Sequence, residues 1–307
     1  MEWITYILQI AIVLGLSPMV IGLIRKVKAR MQTRVGASVF QPYRDLAKLF
    51  RKDEVISEDA SWVFRSAPYI VFGTTVALAL GIPLISPLST PLGDILVFAY
   101  VIATGAFFTA LAGIDTGSAF GGFGSSREMT IAALTEGGLI LSLFAISLIA
   151  GTTNLGLMPA ALLDASGRAL APLLLALAAF GIALLAENAR MPVDNPATHL
   201  ELTMVHEAMI LEYSGKRLAL MEWASYNKLL IFIAIFVNIL MPWGLAESFA
   251  IGAQSSALAI FLVKVTVAAS AIALIESSIA KLRIFRVPDL LITSFVLSVI
   301  GILIIVL

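Results

Sequence analysis

Eight long apolar runs constrain this sequence of 307 residues more than any other feature. A helix needs about 20 predominantly apolar residues to cross a bilayer. The qualifying runs cover approximately residues 3–24, 66–86, 95–113, 129–150, 169–187, 228–245, 254–277 and 288–307. Each should be helical, because lipid offers no partner for an unpaired backbone amide. The chain is therefore predicted to be an all-α integral membrane protein, a single polytopic domain over 1–307 with eight transmembrane helices.

The composition narrows the function classes further. Only 13% of the residues are charged, and the 20 acidic and 20 basic residues cancel, so no bulk charge points to nucleic acid. The chain has no cysteine, which excludes iron–sulfur ligation, thiolate metal sites and disulfides. If the protein takes part in redox chemistry, its electron carriers must belong to other subunits.

The distribution of basic residues predicts the orientation of the chain. Loops one, three, five and seven hold 18 of the 20 lysines and arginines. Since cytoplasmic loops carry the excess of such residues, these loops should face the cytoplasm and both termini should lie outside.

The first loop contains a predicted amphipathic helix. In FQPYRDLAKLFRK, from residue 40 to residue 52, apolar residues recur at helical spacing and charged residues fill most of the opposite face. Such a helix lies in the membrane interface. It is either a plain topology determinant or the lateral wall of a docking site.

Three of the ionisable residues in the apolar runs qualify as candidates for a functional role: Glu136, Lys264 and Glu276. Such a residue near the bilayer centre costs at least ~2.5–3.5 kcal/mol, so it is expected to face a polar interior. One interpretation is a hydrated column of titratable groups that moves protons; the other is a set of interhelical ion pairs. Glu276 lies at a helix end, where Lys281 or Arg283 is the expected partner.

The fifth loop gathers unusual charge between apolar runs. Residues 186–217 hold both histidines and four glutamates. A short helix is predicted from residue 198 to residue 211, with Thr198 and Glu201 forming a capping box. His199 and His206 lie two helical turns apart without a metal-binding motif, so a docking or proton-entry role is preferred to a metal site.

This loop resembles the signature E-x-x-R-x-P-x-D…E-L…E-Y-[SA]-G. That signature marks the family shared by the H-type subunit of respiratory complex I and the membrane subunit of formate hydrogenlyase and related NiFe hydrogenases. The matching residues are Glu187, Arg190, Pro192, Asp194, Glu201 and residues 212–215.

Other positions resemble the hydrogenase branch of this family. They are residues 43–45, residues 113–118 and Glu276, where the complex I branch typically has an arginine. The fifth loop departs from the family pattern between Glu201 and Glu212, which are further apart than usual, and at residues 196–199.

The resemblance implies a connector between a peripheral redox arm and antiporter-like membrane subunits. It implies an ion or coupling path through Glu136, Glu187, Glu201 and Glu212, and the charges Lys264 and Glu276 within the apolar runs are assigned to the same path. It implies a redox-arm interface or cavity wall formed by Arg34, Gln41, Asp45, Arg127, Arg190 and Asp194. The implied partners are hydrogenase large and small subunits and a ferredoxin-like iron–sulfur subunit, which would carry the NiFe centre and the clusters, in the cytoplasmic membrane of a prokaryote. No cofactor is expected on this chain.

Two alternatives remain open from the sequence. In the first, the chain belongs to a quinone-reducing relative, and the amphipathic helix and fifth loop frame a quinone pocket. In the second, it is a purely structural anchor whose buried charges are assembly ion pairs.

Overall fold

The computed structural model describes residues 2–87, 90–163, 170–194, 204–246, 248 and 250–307. Eleven α-helices lie within these residues. They are α1 (Glu2–Met31), α2 (Gln41–Arg51), α3 (Trp62–Gly81), α4 (Ile95–Asp115), α5 (Ala119–Ala150), α6 (Met158–Leu163), α7 (Leu170–Glu187), α8 (His206–Ile210), α9 (Gly215–Leu240), α10 (Ile251–Ser278) and α11 (Val287–Val306). Eight helices in this part of the chain are long and apolar enough to cross a membrane, so the predicted fold class is confirmed.

Helix α9 is the central element of the bundle. It packs against α1, α2, α3, α7 and α10, and most of its residues from Leu229 to Ile239 are buried. Helices α3 and α4 pack along each other on one side, and α5, α7 and α11 form a second group. A helix that is apolar on all sides belongs in the interior, and the second half of α9 meets that condition.

Two helices in the structure begin earlier in the sequence than the spans predicted for them. The fourth begins at Ala119 rather than residue 129, and the sixth begins at Gly215 rather than residue 228. Charged residues interrupt the apolar pattern in both places, and they include Arg127, Glu128 and Lys228. Most of these side chains find polar surroundings inside the protein, so the helices continue through them.

The amphipathic helix exists as α2, with Pro42 in its first turn. Pro42 and Leu46 are buried because the helix lies against α9 and α1. Its apolar face therefore packs against protein. Its position at a membrane interface stays a prediction.

The predicted helix over 198–211 is not continuous in the structure. Thr198, His199 and Glu201, and with them the capping box, lie outside the described residues. Met204 and Val205 are not helical, and α8 spans only His206–Ile210. Asp194 explains the late start, because its carboxylate accepts a hydrogen bond from the backbone N–H of His206 at 3.3 Å.

Candidate functional site

A cavity of about 590 Å³ lies within the bundle. Residues of α1, α3, α4, α5, α8, α9 and α10 and of the loop after α7 line it. The ionisable residues in its wall are Arg25, Lys28, Arg34, Glu128, Glu187, Arg190, Asp194, His206, Glu207, Glu222, Tyr226, Lys228 and Glu276. Such a density of buried charge requires pairing or hydration.

The ion pair between Lys228 and Glu187 lies in this wall. The Nζ atom of Lys228 donates a hydrogen bond to Oε1 of Glu187 at 2.7 Å. Glu187 is the last residue of α7, and its side chain is only 5% exposed. Glu128 on α5 interacts electrostatically with Lys228, Glu187 and Asp194. Glu136, two turns further along α5, interacts with Glu187 and Lys228. Lys228 is therefore hydrogen-bonded to Glu187 and also interacts electrostatically with Glu128 and Glu136.

A second ion-pair cluster joins three segments at Glu276. Its Oε2 atom lies 3.2 Å from Nζ of Lys28, and its Oε1 atom lies 3.2 Å from Nη1 of Arg190. The Glu276 side chain is 2% exposed. The prediction of Lys281 or Arg283 as its partner is wrong, because α10 ends at Ser278 and Lys281 turns towards Asp194 instead.

The two described ends of the fifth loop lie close together at Asp194. Its Oδ1 atom accepts a hydrogen bond from Nζ of Lys281 at 2.5 Å, and its Oδ2 atom accepts the bond from His206. The backbone N–H of Leu282 donates to the carbonyl of Pro192 at 2.9 Å. Arg127 donates to the carbonyl of Met204 at 3.3 Å. Asp194 and His206, which lie on either side of residues 195–203 in the sequence, therefore both line the cavity.

The pKa values of His206 and Glu207, at the start of α8, are shifted in opposite directions. Burial, with a smaller contribution from Lys228, lowers the pKa of His206 to about 4 against the opposing effect of Asp194. Burial also raises the pKa of Glu207 to about 7, with smaller increases from Glu222 and Asp194. Both shifts favour the uncharged form, as desolvation does in general.

The predicted site residues fall into three groups. Those lining the cavity are Arg34, Glu187, Arg190, Asp194 and Glu276. Those placed elsewhere are Gln41 and Asp45 on α2, Arg127 and Glu136 on α5, the exposed Glu212, and Lys264. Glu201 lies outside the described residues. The roles assigned to all of them stay predictions.

Lys264 is separated from the cavity and tightly held. Its Nζ atom donates to the carbonyls of Met241 and Trp243, both at 2.6 Å, and to Oδ1 of Asn238 at 3.2 Å. It also lies 5.0 Å from the centre of the Trp243 ring. Asn238 in turn donates to the carbonyl of Pro83 at 2.6 Å. The amine thus joins the end of α9 to the middle of α10.

The residues of the E-Y-S-G signature connect the first loop and the start of α3 to the start of α9. The ring of Tyr213 stacks on Phe64 with centroids 4.0 Å apart, and its hydroxyl donates to the carbonyl of Phe64. Ser214 Oγ accepts from the backbone N–H of Val55 and donates to its carbonyl. Gly215 has φ +53, and a Cβ there would lie 2.8 Å from Cγ of Glu54. These contacts give the signature a structural role.

Sequence reasoning missed Glu128, Glu222 and Lys228 as candidate site residues. Lys228 was counted among the loop residues, and Glu128 stands beside a loop arginine. A usable signal exists on α9, where Glu222, Ser225 and Lys228 recur every three residues and all face the cavity. Polar residues at helical spacing within an amphipathic helix indicate a polar interior.

Within the described residues, no group of three or more histidine, cysteine or acidic side chains could hold a metal ion. The cavity wall offers ion pairs, carboxylates and an imidazole. Chemically, this set can exchange protons.

Comparisons with known proteins agree on one family. The family profile described as NADH dehydrogenase matches residues 4–307. Formate hydrogenlyase subunit 4 of Escherichia coli is 35% identical over 285 residues, 92% of each chain. Hydrogenase-4 component C of the same organism is 35% identical, over 90% of this chain and 87% of that one.

Two further comparisons concern more distant proteins. The H-type subunit of the NADH-quinone oxidoreductase of Rubrobacter xylanophilus is 30% identical, over 75% of this chain and 70% of that one. A chain of the membrane-bound sulfane sulfur reductase, an archaeal respiratory membrane complex, has the same fold, with a TM-score of 0.85 at 22% identity over 99% of both chains.

Proposed function

Because this chain belongs to the NADH dehydrogenase family, we propose that it is the membrane-arm connector subunit of a redox-driven, ion-translocating complex of the membrane-bound NiFe hydrogenase type. In this role it couples electron transfer in a peripheral arm to the movement of H⁺ or Na⁺. The two relatives at 35% identity are components of formate hydrogenlyase and hydrogenase-4, which supports the hydrogenase branch.

The observation that carries the proposal is the charged cavity between the helices. Oppositely charged groups line it from Arg34 and Lys28 to Glu187 and Lys228. Charged side chains within membrane-spanning segments are rare unless they have a function. Unit charges a few ångströms apart interact strongly where water is scarce, so a charge change at one end of the wall alters proton binding at the other.

In the proposed mechanism, the change that couples electron transfer to ion movement begins at the fifth loop. A charge or proton change near Asp194 and Glu201 alters proton binding at Glu187 and then at Glu136. The contacts of Asp194 with Lys281 and His206 support it as the entry point, because they connect the loop to two other segments. Lys264 stays a predicted member of the relay, although its described contacts are with carbonyl and amide oxygens.

The proposed partners are those of a membrane-bound NiFe hydrogenase complex. They are hydrogenase large and small subunits and a ferredoxin-like iron–sulfur subunit on the cytoplasmic side, and antiporter-like subunits within the membrane. The NiFe centre and the iron–sulfur clusters would belong to those partners. The excess of Lys and Arg in the odd-numbered loops supports an orientation with both termini outside the cytoplasmic membrane.

The experiment compares Glu187→Gln and Glu136→Gln with Glu58→Gln in the assembled complex, since Glu58 is exposed in the first loop. We expect the first two variants to retain electron transfer and lose ion pumping, and the control to retain both. Normal assembly with unchanged pumping in both of the first two variants would contradict the proposal and favour a structural anchor.

A quinone site is the second candidate. The cavity also has an apolar wall that includes Ile21, Ile24, Leu78 and Ile102, and its volume is within the range of about 300–1,000 Å³ typical of small-molecule sites. Stoichiometric quinone in the purified complex, or inhibition by quinone-site blockers, would support this function. Full activity of quinone-free complex would exclude it.

A further inference from the structure

A second, open groove of about 350 Å³ lies on the surface of the bundle, where the end of α2, the start of α9 and an exposed face of α3 meet. Its wall consists of Lys52, Asp53, Glu54, Tyr69 and Lys216. None of these five residues lines the charged cavity described above. A ligand bound in this groove would therefore occupy a site separate from the proposed ion path.

The groove carries an excess of positive charge. Glu54 is already neutralised, because its carboxylate accepts a hydrogen bond from the guanidinium group of Arg217. Asp53 is the other acidic residue of the wall, and it stands against the two ammonium groups of Lys52 and Lys216. Neither lysine side chain forms a hydrogen bond or an ion pair with any residue that the structure describes. Two cationic groups are thus available to a ligand that enters the groove.

The face of α3 next to the groove has the character of a membrane interface. Trp62 and Tyr69 are 69% and 57% exposed. Gly73 is also exposed, and the space around its Cβ position is open. The three residues share one helical face, because they are seven and four positions apart. Trp and Tyr concentrate where acyl chains meet headgroups, so this face offers a path for an acyl chain that begins at the groove.

We propose that the groove binds the phosphate group of an anionic membrane phospholipid, on the side where the basic loops are predicted to face the cytoplasm. Lys52 and Lys216 bind the phosphate, and Tyr69 contacts the beginning of an acyl chain. Basic pockets at the cytoplasmic ends of membrane helices bind anionic headgroups by the same attraction. Lys216 also lies in the first turn of α9, where the helix dipole disfavours a cation, and a bound anion offsets that cost.

A phospholipid in this position would connect three parts of the chain. Lys52 ends α2, Lys216 begins α9 and Tyr69 belongs to α3. The first loop already contacts the start of α9 through Ser214 and Val55. The lipid would add a second connection between these segments, on their exposed side.

The experiment uses the whole purified complex in phosphatidylcholine nanodiscs. These contain a small fraction of phosphatidylglycerol with a photoactivatable group in its acyl chain, and mass spectrometry locates and counts the adducts. We expect adducts on α3 near Tyr69 and Gly73. Lys52→Gln and Lys216→Gln should each lower their yield about fivefold, the factor that corresponds to one lysine beside an anionic lipid surface. Lys216→Arg keeps the charge and should retain most of the yield.

Two controls test the specificity of the groove. Lys48→Gln should leave the yield unchanged, because Lys48 is exposed on α2 but does not line the groove. A photoactivatable phosphatidylcholine, which has no net charge, should give fewer adducts at the same positions. Inorganic phosphate at millimolar concentration should not reduce the labelling, because it lacks the acyl chains that contact α3.

Three results would overturn the proposal. They are the absence of adducts on α3, a yield that is the same in the two glutamine variants as in the unmodified complex, and equal labelling by the two lipids. Full competition by inorganic phosphate would show that the groove binds a free anion, which also contradicts a lipid site. Labelling requires no turnover, so each of these results is independent of whether Glu187→Gln blocks pumping.

Discussion

The carboxylate of Glu276 lies 3.2 Å from the guanidinium group of Arg190, and this contact joins the end of α10 to the loop that follows α7. Lys28 at the end of α1 binds the other carboxylate oxygen. Glu276 therefore connects three segments at one wall of the cavity.

Replacing Glu276 by glutamine should destabilise the protein. The change leaves Lys28 and Arg190 facing each other without a counter-charge, and breaking a buried ion pair costs about 3–5 kcal/mol. The thermal midpoint of the purified complex measures the effect. Asp45→Asn is the matched control, since Asp45 is 43% exposed and lies 4.0 Å from Arg25; an exposed pair contributes about 0–1 kcal/mol. Equal midpoints for the two variants would refute the structural role of Glu276.

Lys264→Met should release the loop after α9. The variant leaves the carbonyls of Met241 and Trp243 without their donor, and each unsatisfied buried acceptor costs about 1–3 kcal/mol. Hydrogen exchange of residues 241–246 should accelerate, whereas Lys216→Met, at an exposed position on α9, should leave it unchanged. Loss of ion transport with normal exchange would instead favour the relay role predicted for Lys264.

Glu207→Gln should change how stability depends on pH. Burial raises the pKa of Glu207 to about 7, above the value of about 4.3 in an unfolded chain. The folded state therefore binds the proton more tightly, and the unmodified protein loses stability as the pH rises from about 4.3 to 7. The glutamine variant lacks this loss, so its thermal midpoint should exceed that of the unmodified complex above pH 7.

At pH 4 the two midpoints should converge, because Glu207 is then largely protonated in both states. Glu212→Gln, at an exposed position, serves as the control and should follow the unmodified protein at every pH. A constant difference between the Glu207 variant and the unmodified complex from pH 4 to pH 8 would show that Glu207 does not titrate in this range.

Gly215→Ala should destabilise the junction between the first loop and α9. The residue has φ +53, and its added Cβ would lie 3.0 Å from the backbone oxygens of Lys52 and Asp53. Gly117→Ala separates the two effects, since Gly117 has φ +65 but open space around it. That control should cost only the left-handed penalty of about 1–2 kcal/mol. If the thermal midpoints of the two variants fall equally, the close packing of Gly215 against the first loop contributes nothing to stability.

Local pattern was sufficient for much of this protein. Apolar runs of about 20 residues predict eight spans because the bilayer requires every backbone amide to bond within its own helix. The amphipathic spacing around Leu46 likewise predicted α2. Glu276 was found as a candidate because charge is conspicuous in an apolar sequence, and Asp194 because the fifth loop resembles a family signature.

The sequence alone could not predict which residues of distant segments form ion pairs. Lys28 and Glu276 are 248 positions apart, and no local sequence pattern predicts that they pair. Lys228 and Glu128 were missed for the same reason, since a charge that shortens an apolar run looks like the start of a loop. Only the packing of α5, α7 and α9 around a common cavity shows that these charges lie inside the bundle, where neighbouring charge and water replace the lipid that each would otherwise meet.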